Sequence, residues 1–294
     1  MSKINIVYWN VPNFGDILSP YIVEELSGKK TQIKNIKHNV KDGIKTIIKS
    51  VLYLRPSELK TIEMPWQRTL VGIGSIISWG NKRSIIWGAG FMNQDEPFRG
   101  GEVFAVRGPY TDEKLIAFGK KKCHVYGDPA LLLPLICPAA RSKRARLGII
   151  PHKKETDFFI QHYGQRYKII DLRTRDVKKV VEDINSCAYI LSSSLHGIIV
   201  GHAYHIPSLW IKKGYIDTDG FKFDDYFSSV NIPLYKGFEN IAHILESEQH
   251  WMDLFEKNKQ QAVIQTDLRG LQKELLRAAP FPLVQKYRSF IEEE

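Results

Sequence analysis

The stretch Ala188-Tyr-Ile-Leu-Ser-Ser-Ser-Leu-His-Gly-Ile-Ile-Val-Gly-His-Ala-Tyr-His-Ile-Pro207 decides how this chain is read. Ala188 to Leu191 is a short apolar run that reads as a buried strand, and Leu195 to Tyr204 has the apolar spacing of a helix laid against a sheet. Ser192, Ser193 and Ser194 form the turn between them. A helix N-terminus carries amides without intrahelical partners and the positive end of the peptide dipole, so it holds an anion without side-chain charge. The serine hydroxyls add donors, and His196 in the first turn is an acid or base near neutral pH. Gly197 is expected to leave room for a ligand beside the backbone. The competing reading is a plain cap, with His196 bonded to a neighbouring loop.

Before this motif, Ile4 to Trp9 reads as a first strand, Asn10 to Asp16 as a turn, and Ile17 to Leu26 as a helix stopped by Gly28. This is the opening unit of a Rossmann-like domain, in which ligands bind at the carboxyl ends of the strands, so Asn13, Gly15 and Asp16 are expected to line a crevice. Asp16 as a helix cap fits equally well. Leu70 to Ile73 and Ile85 to Trp87 are further strands running into Gly72-Ile-Gly-Ser75 and Gly88-Ala-Gly90. The first lacks the full dinucleotide pattern, and close approach of a helix or a substrate explains it as well. The strand starting at Glu102 ends at Arg107, Gly108-Pro109 turns, and Thr111 is placed to cap a helix that stops near Gly119. Arg107 then stands at the mouth of the sheet, where its planar fork suits a carboxylate or phosphate. Pairing with an acid such as Asp128 is the structural alternative.

Pro134 to Arg146, with the basic run Arg141-Ser-Lys-Arg-Ala-Arg146, reads as a linker between two domains, 1–140 and 141–294. After it, Leu147 to Ile150 is a strand ending in Pro151-His152, Tyr167 to Asp171 another, and Asp176 to Cys187 a helix that leads into the central motif. Phe221 to Ser229 is aromatic and acidic, and packing beneath the cleft is its default role. From Phe238 onward the pattern is mostly helical, broken by Pro280 and Pro282 before a last polar helix. The predicted fold class is α/β, with two Rossmann-like domains facing a cleft, so that Arg107 and Asp16 oppose His152 and His196.

The 294 residues carry a formal charge of +10, which favours a polyanion, an acidic lipid surface or anionic substrates without choosing among them. Residues 29–49 hold seven lysines against Asp42. Ile33, Ile36, Val40, Ile44 and Ile47 recur there at helical spacing beside Lys34, Lys41 and Lys45, a pattern compatible with an amphipathic face on anionic lipid or with a solvated basic surface. Cys123, Cys137 and Cys187 have no zinc or disulfide spacing, and no apolar run is long enough for a signal peptide or a membrane span. These features predict a cytoplasmic protein, either free or in peripheral contact with the inner face of the cell membrane, and no metal.

Taken in order, Asn13-Phe-Gly-Asp16, Gly72-Ile-Gly-Ser75, Trp87-Gly-Ala-Gly90, Val106-Arg-Gly-Pro109 with Thr111 and Leu115, Gly127-Asp-Pro-Ala-Leu131, Pro151-His152, Ser193-Ser-Leu-His-Gly197 and Lys222-Phe-Asp-Asp-Tyr226 resemble the motifs of the polysaccharide pyruvyl transferase family. The resemblance covers roughly residues 5 to 230. It implies a glycosyltransferase-B-like pair of domains and transfer of pyruvate from phosphoenolpyruvate to a sugar of a capsule or exopolysaccharide precursor, usually as a ketal, with no cofactor. It places the acceptor on the first domain at Asn13, Phe14, Asp16, Gly74 and Ser75. The donor lies with Arg107, His152, Ser193, Ser194, Leu195, His196 and Gly197, while Asp128 shapes the cleft. His196, as an imidazolium, and Asp16 are the expected catalytic pair. Where some members carry a second donor-binding arginine before Leu-His, this chain has Ser194. The expected partners are phosphoenolpyruvate and a sugar acceptor, lipid-linked or free, and not nucleic acid. A nucleotide-sugar glycosyltransferase and a non-catalytic basic module for polyanions or membranes are the alternatives.

Overall fold

The computed structural model describes residues 3–36, 60–64, 66–138 and 145–293. The first half is a five-stranded sheet of β1 (Ile4–Val7), β2 (Thr31–Ile33), β3 (Thr69–Val71), β4 (Ser84–Trp87) and β5 (Glu102–Ala105), ordered β2-β1-β3-β4-β5 with every pairing parallel. The second half is a four-stranded parallel sheet of β6 (Ala145–Ile150), β7 (Lys168–Ile169), β8 (Cys187–Ser192) and β9 (Ser208–Trp210), ordered β7-β6-β8-β9. Parallel sheets need cover on both faces, which is why their strands read as apolar runs rather than alternating ones.

The helices obey the local signals. α1 (Phe14–Ser27) ends at Gly28, whose φ of 65° is left-handed and whose amide donates to Glu24 O at 2.9 Å. It begins three residues before the expected Ile17, because the turn is shorter than the sequence suggests. α2 spans Pro109–Ala117, α3 Leu133–Ile136 and α4 Thr156–Tyr163. In α5 (Val177–Asn185), Val177, Val180, Val181 and Ile184 are buried at the spacing of one helical face, and the Asp176 carboxylate caps it by accepting from Lys179 N. α6 (Leu195–Ala203) and α7 (Phe221–Ser229) are almost wholly buried on their inner faces.

In each sheet the strand order reverses once, between β1 and β3 and between β6 and β8. Ligands in open α/β sheets bind outside the carboxyl ends of the strands at such reversals. Residues 10–16, 72–75, 151–152 and 192–196 leave the sheets at these two points.

The two halves share one apolar core. Ile6, Leu18, Ile22, Leu70 and Trp87 belong to the same buried cluster as Ile150, Ile190, Ile198 and Ile199. The chain after β9 forms α8 (Ile241–Ile244), α9 (Glu248–Lys257), α10 (Leu268–Arg277) and α11 (Gln285–Glu292), and its last part returns to the first half. Trp87 Nε1 donates to Leu275 O at 3.0 Å, Gln272 Nε2 to Leu131 O at 2.7 Å, and Val284 N to Leu26 O at 2.9 Å.

The expected helical face over the lysine-rich segment is not what its described start adopts. Ile33 ends β2, and Lys34 is buried with Nζ donating to the carbonyls of Lys60 and Ile62. A lysine satisfied by backbone carbonyls inside the fold does not face lipid. Val40, Lys41, Asp42, Ile44, Lys45 and Ile47, and the linker residues Arg141 to Arg144, lie outside the described residues. Among the described residues no helix is long and apolar enough to cross a membrane.

Leu275 is fully buried in the shared core. Leu275→Ala is therefore expected to cost about 2–5 kcal/mol, read as a lowered urea midpoint. An unchanged midpoint would mean that α10 docks without packing.

Candidate active site

The three serines divide their work. Ser192 Oγ lies 2.8 Å from the carbonyls of Ile150 and Ser194 and accepts the Ser194 amide at 3.0 Å, which closes the turn. Ser193 Oγ donates to Glu155 Oε2 at 2.5 Å and accepts from His152 N at 2.8 Å, so it joins the loop after β6 to the loop after β8. The Ser194 side chain makes no capping bond. The amides of Leu195, His196 and Gly197 have no acceptor among the described residues. The N-terminus of α6 is thus held open by two hydroxyls and presents the third.

His196 sits over α1. A Cβ on Gly15 would collide with its Nδ1, so the absence of a side chain there lets the first half reach the imidazole of the second. The residue keeps some exposed surface, while Nε2 is buried without a partner among the described residues. Burial, then Lys222 and Arg107, pull its pKa down to about 3. Without a bound anion these influences favour the neutral ring at pH 7.

Arg107 is fully buried. Its Nε donates to Asp225 Oδ2 at 2.9 Å, Nη1 to Ser75 Oγ at 2.6 Å and Nη2 to Phe91 O at 2.6 Å. Three of the five N–H donors of the fork expected to receive a ligand are taken up inside the protein. Its acid is Asp225 on α7 and not Asp128. The same carboxylate accepts from Thr111 N and Thr111 Oγ1, both at 2.7 Å, so it replaces Thr111 as the cap of α2, which starts at Pro109. Asp128 stands nearby with Oδ1 accepting from Ala130 N, Oδ2 unpartnered among the described residues, and burial raising its pKa to about 6.

Lys222, one helical turn before Asp225 on α7, is 7% exposed and has no hydrogen bond or ion pair among the described residues. Burial and Arg107 lower its pKa to about 8 against the opposing pull of Asp217. It in turn acts on both histidines of the site. The His152 pKa falls to about 4 through burial, then Lys222, Lys153 and Lys154. Asp16 accepts from Asn13 Nδ2 at 2.5 Å and faces Lys153, and burial raises its pKa. The structure therefore brings Lys222 into electrostatic range of His196, His152 and Arg107, and Arg107 into range of His196, with Asp16 one residue from the glycine that touches His196.

Other expected contacts serve packing. Phe14 is a core residue whose amide donates to Leu172 O at 2.8 Å, and Ser75 is spent on Arg107. Gly197 leaves no room for a ligand on its Cα side, because a Cβ would strike Ser192 Oγ and Ile150. Gly74, with φ of 110°, turns the loop so that its carbonyl accepts from Gly90 N. Sequence reasoning placed Asp225 and Lys222 within the motif Lys222–Tyr226 but gave neither a role in the site. Their signal was an acidic, lysine-bearing helix too buried for its charge. Among the described residues, the ligand atoms close enough for a metal are those of His243, Glu246 and His250, on and between α8 and α9. Glu246 Oε2 there lies 3.6 and 3.5 Å from the two Nδ1 atoms.

Two outcomes follow from this geometry. Removing the partner of a buried guanidinium with Asp225→Ala is expected to cost about 3–5 kcal/mol in denaturant unfolding, whereas a surface pair costs under about 1. As pH falls in the unliganded protein, the rings of His152 and His196 stay neutral until about 4 and about 3, so NMR ring shifts remain flat through the range near 6.5 where a solvated histidine titrates.

Comparison with known proteins bears on the same residues. An uncharacterized protein of Acanthamoeba polyphaga mimivirus is 33% identical over 172 residues, which cover 54% of this chain and 59% of that protein. The chain thus spans less than two thirds of the curated relative it matches. No solved structure matches it. The family model described as polysaccharide pyruvyl transferase matches residues 13–212, from the loop that meets His196 to the end of the second sheet, and on that match the chain belongs to the polysaccharide pyruvyl transferase family.

Proposed function

We propose that the chain transfers pyruvate from phosphoenolpyruvate to two hydroxyls of a sugar in a polysaccharide or glycolipid precursor, forming a pyruvate ketal. The observation that carries this reading is the open N-terminus of α6, where the amides of Leu195, His196 and Gly197 and the buried Nε2 of His196 have no partner among the described residues. A three-carbon donor bearing a carboxylate and a phosphate supplies the negative charge that amides, a free Ser194 hydroxyl and Lys222 lack. The glycosyltransferase-B-like arrangement belongs to the same reading, with the donor on the second half and the acceptor at the Asn13–Asp16 loop of the first.

The chemistry balances as follows. The donor's negative charge opposes the effects that depress the His196 pKa, so the ring gains its proton as the donor binds. The imidazolium passes that proton to the C3 methylene, which becomes a methyl group, and one sugar hydroxyl adds to C2 while Asp16 takes its proton. The bond from C2 to the phosphate oxygen breaks, the electron pair leaving with phosphate. The second hydroxyl then adds to C2 and its proton leaves with the phosphate. One donor and one diol give one ketal and inorganic phosphate, with no redox change and no cofactor. Gly15 keeps the acceptor loop against the imidazole throughout.

Incubation with phosphoenolpyruvate and a panel of glycosides is expected to release phosphate and to add the mass of pyruvate less water to the acceptor. His196→Gln should slow release by about a hundred- to ten-thousand-fold with folding intact. Turnover within a few-fold of the parent would remove His196 from the mechanism. Stabilisation by nucleotide sugars without phosphate release would favour glycosyl transfer instead. Gly15→Ala, whose methyl group must displace the ring, should slow turnover at least tenfold while leaving the circular dichroism spectrum unchanged.

A further inference from the structure

Positive charge around His196 is unequally available. Arg107 has each of its three nitrogens bonded inside the protein, its charge matched by Asp225. Lys222 has neither a hydrogen bond nor an ion pair among the described residues, although it is as buried as a core residue. Its Nζ lies 5.4 Å from the centroid of the Phe223 ring, and that ring is stacked at 3.9 Å on Trp210. An ammonium taken out of water without a partner costs several kcal/mol, so a fold that keeps one invites an anion to it. Its helix is fixed from both sides. Asp225 binds Arg107 and Thr111 of the first half, and Tyr226 Oη lies 3.0 Å from His202 Nδ1 on α6. Residues three apart share a helix face, so the clamp on Asp225 also sets where Lys222 stands.

We propose that the Lys222 ammonium, and not the Arg107 guanidinium, is the side-chain cation that takes the anionic end of the donor at the N-terminus of α6. This deepens the pyruvyl-transfer reading and rests on it for the donor's identity. The anion lies between Lys222, the free amides of α6, the Ser194 hydroxyl and Nε2 of His196. Ser194, where the family resemblance would allow a second arginine, leaves space for a cation arriving from α7.

Calorimetric binding of phosphoenolpyruvate, and separately of inorganic phosphate, tests the assignment in the parent protein, Lys222→Met and Lys222→Arg. Lys222→Met should weaken both ligands at least tenfold with an unchanged or higher melting temperature, since it removes an unpaired buried charge. Lys222→Arg should bind within a few-fold of the parent. At pH 8.5 the parent should take up more protons than Lys222→Arg as either ligand binds, seen as a larger buffer-dependent heat, because uptake by His196 is common to both and only the parent adds that of the ammonium. The other charged groups facing Lys222 are Arg107, Asp217, His152 and His196; in the unliganded protein the two histidines titrate near 4 and 3 and Lys154 holds the Asp217 carboxyl below its ordinary value, all far from that pH. Parent-like binding by Lys222→Met overturns the proposal, as does undiminished proton uptake in Lys222→Arg, which remains readable if the methionine variant fails to fold. Lysine-dependent phosphate binding without phosphate release from phosphoenolpyruvate in the parent would retain this anion site and discard the pyruvyl reading.

Discussion

The buried ion pair between Arg107 and Asp225 is the constraint on which the site depends. Both side chains are fully out of water, and such a pair holds only when the remaining polar atoms are also satisfied. Here they are. Arg107 gives its other nitrogens to Ser75 after β3 and Phe91 after β4, and Asp225 accepts from the amide and hydroxyl of Thr111 on α2. Glycine at 90 and 108 makes the approach possible, since a Cβ at the first would meet the guanidinium and one at the second the backbone of Asp225. One charge pair thus gathers the ends of three strands and two helices.

From that clamp the placement of the chemistry follows. α7 is held to the first half by Asp225 and to α6 by the Tyr226–His202 contact, and Lys222 rides on it. The loops after β6 and β8 are joined by Ser193, with Glu155 and His152 as its partners. Gly15 lets α1 close on His196. The outcome is an interior with more cationic than anionic groups in range, in which burial and those cations favour neutral histidines and a lysine has no partner among the described residues. Charge stored in this way is uncomfortable in the empty protein and relieved by an anion, the condition for binding that also changes protonation.

Motifs that are contiguous in the chain were the legible ones. The strand, serine turn and helix of residues 188–204, the β-loop-α opening of the chain and the succession of parallel strands all declare themselves through periodicity and turn residues. Glycines were legible as close approaches but not as to what approaches. Gly72 accommodates Ser19, Gly15 accommodates His196, and Gly197 is packed against Ser192 and Ile150. The partner of Arg107 was out of reach, because Asp225 lies 118 residues away and a nearer acid, Asp128, offered itself.

The sequence by itself determined the α/β class, the order of the two sheets' units and the family, because these rest on local patterns and on ordered motifs. Only the tertiary structure decided which charges are spent and which are free. Arg107 and Lys222 carry the same formal charge in the sequence, and what separates them is whether folding brings a carboxylate within hydrogen-bonding distance. Protonation was decided the same way, since an imidazole's pKa is set by desolvation and by neighbours that the linear order does not place beside it.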